Sequence, residues 1–282
     1  MDRPNRNFGF RLLLSIFLCF GCNTNADSKL LINPKGSTVK ERINTPAGYS
    51  RVSTTVNSFG NYLQNLKLKL DGSPVHYFDG RIKYNNNVYI AVIDMNIGNK
   101  DLQQCADAVM RLRAEYMYQN KMENKIHFTF TNGCRVDYCK WMQGYRIVFA
   151  GNKTNWVKKE DPSNTYESFL RYLDLIFTYC GTLSLSRELT KVNYLDLKAG
   201  DVLIKGGSPG HAEIVMDVAQ NKEGKKVYLL AQSYMPAQET QILTNPNNPD
   251  ISPWYELSVD KTEIITPEYN FTVSQLMRFK ED

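Results

Sequence analysis

The residues most able to do chemistry in this chain are few. There are six cysteines and three histidines. Cys105 lies near the start of a predicted helix, where the helix dipole and unpaired N–H groups favour a thiolate over a thiol. Cys180 ends its predicted helix, where the same dipole opposes a thiolate. Cys134 and Cys139 stand close enough for a local disulfide across a turn, although four cysteines permit three connectivities. Gly206-Gly207-Ser208-Pro209-Gly210 fits the G-x-S-x-G text of a serine nucleophile elbow. That motif needs a following helix and an amide N–H just after the serine. Pro209 has no N–H, and the next segment alternates like a strand, so the serine reading is rejected. With no C-x-x-C pair among Cys105, Cys134, Cys139 and Cys180, no H-E-x-x-H and only His76, His127 and His211, no metal site is expected, and no cofactor.

A different reading of the same region rests on longer text. Lys198-Ala-Gly-Asp-Val-Leu-Ile-Lys205, followed by Pro209-Gly-His-Ala-Glu-Ile-Val-Met-Asp217, resembles the second half of papain-like cell-wall cysteine hydrolases of the NlpC and CHAP types. In those families a Gly-Asp strand precedes a Gly-His that opens the next strand, and a hairpin strand then carries a third polar residue. Here that strand is Val227 to Tyr234, with Gln232 near its end. The resemblance implies a cysteine nucleophile at a helix N-terminus upstream of the sheet, and Cys105 is the cysteine that fits. His211 would take the thiol proton and return it to the leaving amine. Gln232 would accept a hydrogen bond from the other ring nitrogen and fix the tautomer. The Cys105 N–H, with Gln104 or Asn99, would hold the oxyanion. Two features depart from the pattern. The text around Cys105 (LQQCADAV) lacks the motif usual there, and the long Cys-to-His separation requires an insertion near residues 121–163. Each residue also has a structural reading: Cys105 falls on an apolar helix face, His211 can bond a carbonyl, and Gln232 can cap the sheet edge.

A second segment, with Arg135, Asp137, Tyr138, Trp141, Tyr145 and Arg146, has the composition of a glycan- or peptidoglycan-binding surface. Its plainer reading is an aromatic core strand with charged flanks.

The elements that must position these groups follow from periodicity. Val88 to Met95 reads as a buried strand. Asp101 with Gln104 forms a capping-box pattern, opening a helix whose face is Leu102, Cys105, Val109, Leu112 and Tyr116. Ile126 to Phe130 alternates like a strand, and Gly133 to Ile147 has no clear period. Asn164 with Glu167 opens a second helix, which runs to Cys180, with Gly181 as its terminator. Asp201–Lys205, His211–Val218 and Val227–Gln232 are strands, the last two joined by a Lys222-Glu223-Gly224-Lys225 turn. The expected class is α+β, with helices packed on an antiparallel sheet in a papain-like (NlpC/CHAP-like) arrangement. It would form a single elaborated domain over 36–282.

Composition limits the partners. The chain is 42% apolar and 22% charged, which is globular, and its net charge of +5 is spread along the sequence without the basic cluster a nucleic-acid partner requires. At the N-terminus, Arg3, Arg6 and Arg11 precede the apolar Leu12–Phe20, and Gly21-Cys22 follows. This resembles a bacterial lipobox, with a signal over 1–21, lipidation of Cys22 and a tether to 35. An ordinary secretory signal is the alternative. The expected location is therefore the cell envelope, anchored to the membrane through Cys22, with peptidoglycan, a peptide or a glycan as partner. Over its length the chain also resembles an uncharacterised family of bacterial lipoproteins, through Asp101–Arg113, Lys205–Ala212 and Ala231–Ala237. That family is a domain of unknown function, so the resemblance implies export but no activity.

Overall fold

The structure is a computed structural model that describes residues 31–280; the lipobox, Cys22 and most of the tether lie outside them. Its strands in chain order are β1 (Tyr49–Arg51), β2 (Tyr89–Val92), β3 (His127–Thr129), β4 (Arg135–Asp137), β5 (Tyr145–Ala150), β6 (Lys153–Lys158), β7 (Leu189–Lys191) and β8 (Val202–Lys205). They continue with β9 (His211–Asn221), β10 (Lys226–Gln232), β11 (Gln241–Leu243), β12 (Tyr255–Glu256), β13 (Glu263–Ile265), β14 (Asn270–Thr272) and β15 (Leu276–Phe279). The helices are α1 (Val39–Arg42), α2 (Phe59–Gln64), α3 (Cys105–Gln119), α4 (Tyr138–Met142), α5 (Tyr166–Tyr179) and α6 (Thr182–Glu188).

A nine-stranded sheet organises this mixed α/β fold, with its main path in the order β2-β11-β10-β9-β8-β15-β7. Its pairings are antiparallel. The β9–β10 hairpin at its centre closes through Gly224, whose φ of +81° suits a residue without a Cβ. The residues of β9 divide between two cores, with a register shift against β10 between Leu229 and Leu230. Ala212, Ile214 and Met216 join the cluster that contains α3, whereas Val215 and Val218 join a second cluster with Leu230, Leu276 and Phe271. Burial on both faces explains why β9 and β10 read as apolar runs and not as a half-polar alternation.

Helix α3 is enclosed rather than amphipathic: every residue from Cys105 to Met117 is buried. Its buried charges are accommodated locally. Arg111 donates to Glu115 at 2.8 Å, and Arg113 lies over the rings of Phe59, Tyr116 and Phe279. The start of α3 corrects the sequence expectation. Asp101 is not its N-cap, because its Oδ1 accepts from the Ala237 N–H at 2.7 Å and from Gln104 Nε2 at 3.1 Å. The cap is Gln104, whose N–H donates to Asp107 Oδ2 at 3.0 Å, so Cys105 becomes the first helical residue.

The second helix is also shifted by a residue. Thr165, not Asn164, caps α5, its hydroxyl accepting the Ser168 N–H at 3.2 Å. Gly181 is no left-handed terminator. Its φ of 179° is extended, and its N–H donates to Ser184 Oγ at 2.9 Å, which caps α6. The unassigned Gly133–Ile147 stretch contains β4, α4 and the start of β5.

Cys134 and Cys139, the candidates for a local bridge, are both free thiols. The extended strand Arg135–Asp137 separates them, and three extended residues span roughly 10 Å. A disulfide tolerates about 7 Å between Cα atoms.

Candidate active site

Cys105, His211 and Gln232 are each the terminal residue of an element, and the topology brings those termini to one place. Cys105 opens α3, His211 opens β9 and Gln232 closes β10. In an antiparallel pair the start of one strand meets the end of its neighbour. The Leu230↔Val215 and Ala231↔Ile214 register, carried one step further, sets Gln232 opposite Glu213 and diagonal to His211. A long side chain spans such a diagonal. The Gln232 Oε1 lies 2.7 Å from His211 Nε2. The Ala106 and Ala212 backbone N–H groups are directed at the sulfur of Cys105. The thiol therefore rests against the peptide that joins His211 to Ala212. Among the described residues, no hydrogen bond links Cys105 Sγ to a ring nitrogen of His211 directly.

The loop before β9 explains the Gly-His text. A Cβ on Gly210 would lie 2.4 Å from the Gly207 carbonyl oxygen, 2.4 Å from Thr182 Oγ1 and 2.7 Å from the Lys205 carbonyl oxygen. Only glycine lets the chain turn this tightly under α6 and deliver His211 to the end of the sheet.

Burial governs the site's electrostatics. Cys105 is 9% exposed and His211 2%. Burial pushes the Cys105 thiol up to about 11, against the pull of the Ala106 and Ala212 N–H groups, and the Asp107 carboxyl adds to the rise. The sequence expectation of a dipole-favoured thiolate is thereby corrected: desolvation of the charged sulfur outweighs the helix N-terminus. Burial also lowers His211 to about 4, opposed by its bond to Gln232 and assisted by the nearby Lys83 ammonium. At neutral pH the resting pair is a neutral thiol and a neutral imidazole.

Several groups around His211 were not found from sequence. Tyr234, Tyr269 and Phe271 surround its ring, with centroids at 4.8, 4.9 and 6.0 Å. Glu213, two residues along β9, is fully buried, and burial lifts its carboxyl to about 8. Its Oε1 accepts from Thr266 Oγ1 at 2.7 Å and lies 3.8 Å from His211 Nε2. Beyond Gln232, its Nε2 donates to Glu268 Oε2 at 2.6 Å, and Lys83 Nζ lies 2.5 Å from the same oxygen. Glu213 left one legible signal, as an acidic residue at an alternate position of an apolar strand. Lys83, Glu268 and Tyr269 left none.

The remaining sequence-derived residues fall elsewhere. Gln104 turns one amide N–H to Asp101, and Asn99 is exposed on the preceding loop. Trp141 is buried, its indole N–H donates to the Ser168 carbonyl at 3.0 Å, and the Arg146 guanidinium covers its ring at 3.8 Å. Its face is thus not presented to a glycan. Arg135 pairs with Asp137 at 2.8 Å, and Tyr145 is half-buried on β5. A groove of about 860 Å³ is lined in part by Arg111, Glu115 and Tyr166; Cys105 and His211 do not line it. Among the described residues, no group of three or more His, Cys, Asp or Glu is placed to hold a metal ion, and no helix is long and apolar enough to cross a membrane.

A family described as a domain of unknown function (4846) matches residues 39–278. No curated protein and no solved structure matches the chain.

Proposed function

The chain belongs to this family of unknown function, and we propose that it is an envelope-anchored cysteine hydrolase that cleaves an amide bond in peptidoglycan or a peptide. The observation that carries the reading is the convergence of three element ends. The Cys105 sulfur sits against the Ala212 N–H, and the adjoining His211 is hydrogen-bonded through Nε2 to Gln232. With Nε2 donating to the Gln232 oxygen, Nδ1 carries the lone pair and serves as base. The thiol sulfur attacks the amide carbon while its proton passes to Nδ1. The Cys105 backbone N–H, at a helix N-terminus, stabilises the oxyanion. Collapse expels the amine, which takes the proton from the imidazolium, and water hydrolyses the remaining thioester.

A papain-like arrangement of α3 against β8, β9 and β10 is part of this reading, as is lipidation of Cys22. The Tyr234 ring would move aside to admit substrate, because His211 is covered in the resting state. Hydrogen bonds of this kind tighten once substrate is bound.

The burial of both groups in neutral form favours a second reading: a non-catalytic envelope lipoprotein that binds a glycan or peptide. One experiment separates the two. Wild type and Cys105→Ala are compared for release of free amines from purified peptidoglycan and from peptides. The hydrolase reading expects release by wild type and a fall to background in the variant; equal release removes Cys105 from the mechanism.

A further inference from the structure

We propose that Glu268, held by Lys83, is a positioning residue that sets the tautomer of His211 through Gln232; the catalytic value of this rests on the hydrolase reading, but its geometry does not. The amide of Gln232 stands between two partners. Its oxygen faces His211 Nε2 at 2.7 Å and its nitrogen faces Glu268 Oε2 at 2.6 Å. Asparagine and glutamine amides are nearly symmetric in shape, so contacts with His211 alone leave two orientations open. A neutral imidazole nitrogen accepts or donates according to its tautomer, and either amide end can face it.

The carboxylate removes that freedom. Glu268 accepts the Lys83 ammonium on Oε2 at 2.5 Å, and a carboxylate in such an ion pair offers acceptors only. An acceptor-only group must be faced by the NH2 end of Gln232. The amide oxygen then has to face His211, and Nε2 has to carry the proton. The order of donation runs from Lys83 to Glu268, from Gln232 to Glu268, and from His211 to Gln232. It leaves Nδ1 bare, the tautomer a base toward Cys105 requires.

The three partners come from separate parts of the chain. Lys83 precedes β2, Gln232 ends β10, and Glu268 lies between β13 and β14. Lys83 is 3% exposed and Glu268 17%. A buried ion pair is a weak source of stability compared with apolar side chains of the same volume. Its value here lies in orientation.

The test reads the tautomer and needs no substrate. Long-range proton–nitrogen NMR of the full chain at neutral pH distinguishes Nδ1–H from Nε2–H. The His211 signal is identified among three histidines by its loss in His211→Gln. Wild type should be predominantly Nε2–H. The double variant Lys83→Met/Glu268→Leu, with its fold verified by amide dispersion, should lose a preference of roughly tenfold and give a mixture, the scale of one charge-assisted hydrogen bond. Should that variant not fold, Glu268→Gln, which preserves volume, should shift the ratio in the same direction. Nδ1–H in wild type overturns the proposal, and so does an unchanged ratio in a folded variant. If the ratio shifts as expected but wild type releases no amine, the positioning role stands and the hydrolase reading falls. If wild type is active, the folded variant should lose kcat with KM preserved, because the change acts on the base and not on substrate contacts.

Discussion

At the scale of single residues, desolvation dominates the charge states of the site. Cys105 is raised to about 11 and His211 lowered to about 4, both chiefly by burial. These directions reinforce each other: proton transfer from thiol to imidazole costs more here than between free side chains, so the ion pair is not the resting state. His211 also couples the site to folding. Its ordinary value is 6.5, and in the folded protein it takes a proton only near pH 4. Below pH 6.5 the unfolded chain binds a proton that the native state refuses, so stability is full above that value and falls toward pH 4. The loss is about 3 kcal/mol. Buried Asp107 and Glu213 also titrate, so the His211 part is isolated by comparison with His211→Gln. Urea denaturation at pH 7 and pH 4 should show the difference between the two proteins change by about 3 kcal/mol, wild type losing more. A difference independent of pH would contradict the buried neutral imidazole.

At the scale of elements, the site depends on how tightly the β8–β9 loop turns. Gly210 is enclosed by two backbone oxygens and the Thr182 hydroxyl, whereas a Cβ on Gly207 meets nothing within 4 Å. Gly207 has a φ of +105°, which strains any L side chain. Gly207→Ala should therefore cost about 1 kcal/mol, and Gly210→Ala about 3 kcal/mol, since backbone atoms cannot rotate aside. Only the second should also disturb the His211–Gln232 contact, visible as a changed His211 NMR signal. Equal losses of stability would show that the loop yields as a whole. The same region marks what the sequence made legible. β8, β9 and β10 were readable because double-faced burial leaves long apolar runs between glycine turns. The start of α3 was misplaced because Asp101 and Gln104 satisfy a local capping pattern, while the partner that claims Asp101 is Ala237, 136 residues away. β4 and α4 escaped detection because elements of three and five residues are too short to display a period. In the site, Cys105, His211 and Gln232 could be found at element ends. Lys83 and Glu268 could not, since tertiary contact alone brings them to Gln232.

At the scale of the whole molecule, the C-terminal strand is structural and not peripheral. β15 lies between β8 and β7 inside the sheet, and β8 is also the neighbour of β9. One end of the chain thus borders the strand that stands beside His211. Arg278 anchors it, donating through Nε to Asp201 Oδ1 at 2.6 Å and through Nη2 to Asp201 Oδ2 at 2.8 Å. Asp201 is fully buried, and its Oδ2 also accepts the Lys198 N–H at 2.9 Å, which holds the turn leading into β8. Removing the guanidinium strands a carboxylate in the interior. Arg278→Met should cost about 3–5 kcal/mol, the usual penalty for breaking one side of a buried pair. The double variant Arg278→Met/Asp201→Asn should recover part of that loss, because the amide keeps the Lys198 contact and carries no charge. Denaturant midpoints of the two variants decide the matter. If the double variant is no more stable than the single, the orphaned charge is not the cause and the apolar edge contacts of β15 carry the strand. The expected recovery instead makes Asp201, in the Gly-Asp text ahead of β8, an anchor for the C-terminal strand, and gives that text a structural reason independent of any catalytic role.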